Sequence, residues 1–310
     1  MDVATVIVTW NQTPLTLTCL ASLQAAGVPA ATIWVVDNGS QPEASPMLKT
    51  QFPGVRVMRL DTNCGFTGGN NVGVAAALAA GAQSILLLNN DATVEPQTVS
   101  GLWTALAADP QIAAVAPKVY YHGTPRLIQS VGIAANPTNG RIRMLGSGEL
   151  DRGQYDRPAD REALFGCALL IRRAAWEQVG PLWEPFFAYA EEVDWCLRAR
   201  ASGWRLGYVP EVVVWHRASS TLGAVSPLRM YLMTRNEYYL WKRHHQRGWR
   251  GSLGLAVALA RSVRILLRYL RVGQRMQARA LVLGMWDCWR GRSGNARTAN
   301  LRLRTTGAKS

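Results

Sequence analysis

The chain has 310 residues, 34 Lys+Arg against 20 Asp+Glu, a formal charge of +14, and 48% hydrophobic against 17% charged residues. That balance excludes an intrinsically disordered chain, which would bury too little apolar surface to offset its ordering entropy. Five dispersed cysteines (Cys19, Cys64, Cys167, Cys196, Cys288) with no CxxC pair exclude a disulfide framework and a zinc site, and point to a reducing compartment.

The Met-Asp start has no basic stretch before an apolar run, so no signal peptide is expected. Val3–Thr9 is a continuous apolar run ending at Thr9-Trp10-Asn11-Gln12, which predicts a buried strand and a loop. Thr13-Pro14 opens a helix with Thr13 as candidate N-cap, an apolar stripe at Leu17, Leu20 and Leu23, and Gly27 as its stop. Thr32–Val36 predicts a second strand, halted by Asp37-Asn38-Gly39-Ser40, and Val55–Leu60 a third. Gly68–Ala80 predicts a Gly/Ala-rich helix and Ser84–Leu88 a fourth strand ending at Asn89-Asn90-Asp91. A helix over Pro96–Ala108 and a strand over Ile112–Tyr121 follow. Residues 122–163 are irregular, and 164–216 become dense again. The order predicts an α/β domain with a mostly parallel sheet.

The charge is uneven. Residues 217–310 hold 19 Lys+Arg and only Glu237 and Asp287 as acids, so 226–310 reads as a basic extension of a domain over 1–225. Such a segment seeks an anionic surface. Arg261, Arg264, Arg268, Arg271, Arg275 and Arg279 recur at helical spacing, with apolar residues between them. The longest uncharged run, Gly251–Ala260, is short of the ~20 residues that span a bilayer. The pattern predicts a helix lying on a membrane surface, with a solvated face of a docked helix as the alternative. No nucleic-acid-binding signature accompanies the charge.

Polar groups cluster where strands end, at Thr9, Asn11, Asp37 and Asp91, and open α/β sheets bind ligands outside the carboxyl ends of their strands. Asp91, after Ile85–Leu88, is a hard oxygen ligand suited to magnesium or manganese. Gly65-Phe66-Thr67-Gly68-Gly69-Asn70-Asn71 is a Gly-rich loop opening a helix, where backbone can approach a phosphate or, alternatively, a neighbouring strand. It fits neither the dinucleotide fingerprint nor the P-loop. Glu191-Glu192-Val193-Asp194 follows Phe186-Phe187-Ala188-Tyr189, so burial would raise at least one pKa, as a general base requires. A solvated face paired with Arg198 and Arg200 is the alternative. His216 ends the apolar strand Val212–Trp215 and reads as a ligand or a structural histidine.

In combination these stretches resemble family 2 glycosyltransferases, inverting enzymes of the GT-A fold, and within them the rhamnosyltransferase-like branch. The resemblance covers about residues 3–245. It is carried by Val-Ile-Val-Thr-Trp-Asn (6–11), Val-Val-Asp-Asn-Gly-Ser (35–40), Asn-Cys-Gly-Phe-Thr-Gly-Gly-Asn-Asn-Val-Gly (63–73) and Leu-Leu-Asn-Asn-Asp (87–91). Further on lie Phe-Gly-Cys-Ala-Leu-Leu-Ile-Arg-Arg (165–173), Phe-Phe-Ala-Tyr-Ala-Glu-Glu-Val-Asp-Trp-Cys-Leu-Arg (186–198), Val-Trp-His (214–216) and Arg-Asn-Glu-Tyr-Tyr (235–239).

The resemblance implies roles. Thr9, Asn11, Asn70, Asn89 and Asn90 would border the donor nucleotide, and Asp37 would accept a bond from a pyrimidine N3–H. Asp91 sits at the last position of the D-x-D metal motif, whose first position here is Asn89, and His216 would complete the shell around Mg2+ or Mn2+. Glu192 corresponds to the base, with Glu191 and Asp194 as rivals. The implied donor is dTDP-rhamnose, then a UDP-sugar. The acceptor is a saccharide or lipid-linked saccharide of cell-surface polysaccharide synthesis, reached from the inner face of the membrane. A nucleotidyltransferase and a non-catalytic module binding an anionic polymer are the rival readings.

Overall fold

The computed structural model of the protein describes residues 2–124, 126–136, 139–217, 226–245 and 248–294. The apolar run Val3–Thr9 forms β1, and α1 (Thr13–Ala25) follows it. Gln12, not Thr13, stands at the cap of α1 and makes no side-chain cap bond; Thr13 is already helical and Pro14 fills the first turn. Gly27 (φ 71) takes the left-handed conformation that ends the helix. Next come β2 (Ile33–Asn38), α2 (Ser45–Gln51), β3 (Arg56–Leu60), α3 (Gly65–Ala79), β4 (Ser84–Leu88), β5 (Ala92–Val94), α4 (Thr98–Ala108) and β6 (Ile112–Tyr121). The irregular stretch carries short strands β7 (Ile128–Ser130), β8 (Ile133–Asn136), β9 (Arg141–Met144) and β10 (Ala159–Asp160). It is anchored by the buried Lys118, whose Nζ lies 2.7 Å from Asp151 and 2.6 Å from Asp156. Then follow β11 (Ala168–Arg172), α5 (Arg173–Val179), α6 (Glu191–Ala201), β12 (Arg205–His216), α7 (Pro227–His244), α8 (Trp249–Arg271) and α9 (Arg275–Trp289).

The main sheet runs β10-β12-β6-β11-β4-β1-β2-β3, with β5 added to β12 and β7 to β6. β4-β1-β2-β3 are parallel, as are β6 and β12; β11 enters antiparallel between β4 and β6. The central strands β1, β4 and β11 are buried along almost their whole length because helices cover both faces. Val6, Ile85 and Leu87 face one cluster with α3, α5 and α6; Ile7, Leu86 and Leu88 face another with α1, α2 and α4. Each fully buried Leu or Ile contributes about 1.5–3 kcal/mol.

The glycines before and inside α3 serve packing. The helix already starts at Gly65. A Cβ on Gly69 would meet Val8 at 2.7 Å, and one on Gly73 would meet Val6 at 2.5 Å and Val36 at 3.1 Å. Their absence lets α3 lie directly on β1 and β2. Gly73→Ala is therefore expected to lower stability by about 1–3 kcal/mol in urea unfolding with an unchanged slope. An unaltered midpoint would contradict this packing.

The C-terminal helices share the core of the body: Tyr238, Tyr239, Leu240, Ala258 and Cys288 join the cluster that holds Trp176 and Trp195. The expected single arginine-faced helix is two helices. Gly273 (φ 71) turns the chain, leaving Arg261, Arg264, Arg268 and Arg271 on α8 and Arg275 and Arg279 on α9. No described helix is long and apolar enough to cross a membrane. The last basic residues of the sequence, Arg297, Arg302, Arg304 and Lys309, lie outside the described residues. Among the cysteines, Cys64 is exposed and the other four are buried and free.

Asp194 joins α6 to α7. Its carboxylate is fully buried and lies 2.9 Å from Arg198, 2.7 Å from Arg243 and 2.8 Å from His244. Burial alone would raise its pKa; hydrogen bonds from His244 and Arg243 and the charge of Arg198 outweigh burial and hold it down at about 2. A carboxylate whose folded pKa lies below its unfolded value stabilises the fold above that value and loses the contribution as pH falls through the folded one. Asp194→Asn is expected to cost about 2 kcal/mol at pH 7, with the gap from wild type closing progressively below about pH 4. Urea midpoints measured across pH check it, and equal midpoints at pH 7 would refute it.

Candidate active site at the carboxyl ends of the strands

β4 ends at Leu88 and leads into Asn89, whose backbone N–H donates to the Cys167 carbonyl at 2.8 Å. The chain then turns, Ala92 N–H donating to Asn89 O at 3.1 Å, and enters β5. β5 pairs antiparallel with the end of β12, Ala92 opposite His216. This short pairing, which the sequence reading did not include, brings Asp91 Oδ1 to 3.0 Å from His216 Nε2. The other ring nitrogen, Nδ1, lies 2.9 Å from Oε1 of the buried Gln129 on β7. An amide oxygen only accepts, so Nδ1 carries the hydrogen and Nε2 is turned towards Asp91. Asn89 Nδ2 sits 3.1 Å from the same Nε2, and Asn89 Oδ1 is buried without a hydrogen-bond partner. Burial opposes a charge on His216, but the neighbouring Cys167 sulfur and the Asp91 carboxylate outweigh it and push the pKa up to about 10.

Among the described residues, no three His, Cys, Asp or Glu side chains group as a complete metal cage. Asp91, His216 and the orphaned Asn89 oxygen instead make a partial set. Such a set suits a cation that completes its shell with ligand oxygens.

The acid pair opens α6. Glu191 is buried, and Glu192 packs on Gly166, where an added Cβ would touch the Glu192 Cβ at 3.2 Å. Burial, then the charge of Glu192, raises the Glu191 pKa well above the ordinary range. Burial raises Glu192 as well, opposed by backbone amides that favour its charged form. One oxygen of each carboxylate is buried without a partner. The corner at His216 and the acid pair adjoin: the Phe165 ring packs edge-on to His216 at 5.7 Å, and Gly166 is the residue against Glu192. Asp194, the third expected acid, is spent on Arg198, Arg243 and His244, and its low pKa makes it a poor base.

The remaining expected residues frame the ends of β1, β2 and β4. Asn11 (φ 55) donates its N–H to Ser40 Oγ at 3.1 Å and accepts from Gln41 N–H at 2.7 Å, tying β1 to the turn after β2. Thr9 is buried and accepts from Thr16 Oγ1 at 2.8 Å, while Asn90 donates to the same Thr16 at 3.2 Å. Asn70 is buried within α3 and donates to Phe66 O at 2.8 Å. Asp37 is held by many donors. It is fully buried, and its carboxylate accepts from Ser40, Ala44 and Ser45 amides, Ser45 Oγ and Arg59 at 2.7 Å. These bonds outweigh burial and lower its pKa. With these bonds Asp37 organises the turn that Asn11 joins. Arg59 and Gln129 were absent from the sequence reading, since each acts through a residue far away in the chain, and Ser40 was read there only as part of a turn.

A sequence profile described as "Glycosyltransferase like family 2" matches residues 2–230. The chain is 25% identical over 274 residues to the N-acetylglucosaminyl-diphospho-decaprenol L-rhamnosyltransferase of Mycobacterium tuberculosis, covering 80% of this chain and 86% of that protein. The mannosyltransferase PcManGT of Pyrobaculum calidifontis, solved with GDP-Man and Mn2+, aligns with a TM-score of 0.56 at 15% identity over 93% of this chain and 87% of that one. S. aureus TarS, solved with UDP-GlcNAc, aligns with a TM-score of 0.55 at 17% identity over 91% and 80%. The shared architecture is the GT-A fold. The matched span runs from β1 into the first turn of α7 and takes in all the strand ends described above; the chain belongs to glycosyltransferase-like family 2 and is a glycosyltransferase.

Proposed function

We propose that the protein is an inverting, divalent-cation-dependent transferase that moves a sugar from a nucleoside-diphosphate donor to a saccharide hydroxyl. The convergence of Asp91, His216 and the orphaned Asn89 oxygen beside a buried acid pair carries this reading. The activity named for the mycobacterial relative supports dTDP-rhamnose as first donor, with a UDP-sugar second, and a lipid-linked saccharide as acceptor.

Asp91, Asn89 and His216 would hold Mg2+ or Mn2+, the cation taking the place of the proton that Asp91 otherwise favours on the His216 ring, and the imidazole in the set favours Mn2+. Bound there, the cation neutralises charge on the departing diphosphate. Burial and the adjoining Glu192 push the Glu191 pKa upward, so it is the poorer carrier of negative charge in the pair. Backbone amides favour the charged form of Glu192, which makes it the member of the pair that accepts the proton of the acceptor hydroxyl. That hydroxyl attacks the anomeric carbon opposite the diphosphate, and one displacement inverts the configuration. Asn11 and the turn at Ser40-Gln41 border the nucleotide, with Thr9, Asn70 and Asn90 bracing the strand ends behind them. Asp91→Ala is expected to lower Mn2+-dependent turnover of dTDP-rhamnose at least ~100-fold per folded molecule, with a lower melting temperature from the loss of the His216 partner but a folded domain by circular dichroism. Retained turnover in that variant would remove the metal reading.

The outer face of α8 supports attachment to an anionic lipid surface. Trp249, Leu253, Val263, Leu267 and Leu270 are exposed along it, and Arg264, Arg268 and Arg271 flank them at helical spacing. Arg261 is set apart, because it pairs with Glu237 at 2.6 Å. Replacing Arg264, Arg268 and Arg271 with Glu is expected to abolish sedimentation with phosphatidylglycerol vesicles without changing donor affinity. Undiminished sedimentation would overturn this attachment.

A further inference from the structure

The segment leading into the acid pair is strained. Phe187 (φ 67), Tyr189 (φ 72) and Ala190 (φ 73) all adopt positive φ, a conformation that side chains with a Cβ rarely take. Such a run persists only where its surroundings hold it. Two residues of α7 do so. Asn236 is fully buried, and its Nδ2 lies 3.0, 2.8 and 2.7 Å from the carbonyl oxygens of Phe186, Ala188 and Tyr189. Arg235, also fully buried, donates to Phe186 O at 2.8 Å and Pro185 O at 3.2 Å, and its Nε donates to Asn236 Oδ1 at 3.0 Å. From the other side, Thr67 N–H donates to Phe187 O at 3.2 Å, and Gly65 makes room for that carbonyl. Glu191 follows Ala190 directly as the first residue of α6.

We infer that Arg235 and Asn236 are positioning residues for the reaction: they fix the segment with positive φ at Phe187, Tyr189 and Ala190 and thereby set where the carboxylates of Glu191 and Glu192 point. The inference rests on the proposed base role of that pair. The chemistry is specific. Only a side chain with N–H donors reaches several carbonyls at once, and the Arg235 fork keeps the Asn236 amide facing them.

The test uses the full chain with dTDP-rhamnose and Mn2+. Variants Asn236→Asp, Asn236→Ser and Arg235→Lys are compared with Glu191→Gln and Glu192→Gln for melting temperature, donor affinity by calorimetry, and the pH profile of kcat. Asn236→Asp and Asn236→Ser are expected to lose 10- to 100-fold in kcat per folded molecule, with donor affinity within twofold. The acid limb of the pH profile should move by at least half a unit. Arg235→Lys, which retains a donor, should lose less. If Asn236→Asp does not fold, Asn236→Ser and Arg235→Lys carry the same readouts. A lower melting temperature with unchanged kcat per folded molecule and an unchanged pH profile overturns the inference alone, provided a Gln variant of the acid pair is inactive. Full turnover in both Gln variants overturns the base reading and this inference with it.

Discussion

Three residue pairs between β5 and the end of β12 carry the geometry of the site. Asn89 and His216 are 127 residues apart in sequence, yet this pairing brings them within hydrogen-bond distance. Side chains alternate along a strand, so a slip of one residue would turn His216 to the opposite face of the sheet. The register is defended from several sides. Arg217 N–H donates to Asp91 O at 3.1 Å, and Gln129 fixes the imidazole from behind. The edge of β12 needs β6 on its other side, where the two strands run parallel over nearly their whole length.

Buried carboxylates in this protein fall into two kinds, and their partners decide which. Asp194 and Asp151 are met by cations and hydrogen-bond donors that outweigh burial and hold each near a pKa of about 2. Such groups brace the fold and are inert towards protons at neutral pH. Among the described residues no cation pairs with Glu191 or Glu192, which meet each other and backbone amides, so burial prevails and their affinity for protons rises. The division is made by α7. Arg243 and His244 bond to Asp194, while the nearby Arg235 and Asn236 turn their donors to carbonyls rather than to the Glu pair.

Much of this was legible in the chain. The runs Val3–Thr9, Ser84–Leu88 and Ile112–Tyr121 are strands with the expected bounds, because doubly covered parallel strands are apolar throughout. β5 was invisible, since three residues are too few to display a period. α2 escaped because its seven residues bury only Ser45 and Leu48, which leaves no apolar stripe. The arginine spacing over 261–279 suggested one helix, but a single glycine at 273 interrupts it without disturbing the charge period. Among site residues, Asp91, Asn89, His216 and the Glu pair could be found from strand ends and local composition. The saturation of Asp37 by Arg59 and of Asp194 by α7 could not, because each depends on an element remote in sequence.

The distribution of thiols offers a practical opening. Cys19, Cys167, Cys196 and Cys288 are sealed in the interior, and burial makes all four slow to ionise, whereas Cys64 lies at the surface. A maleimide fluorophore or nitroxide offered to the native chain should therefore attach at one point, immediately before α3. That point adjoins Gly65, which packs on the backbone of Phe187. One label, installed without engineering, would thus act as a spectroscopic sentinel for the bend that delivers the acid pair.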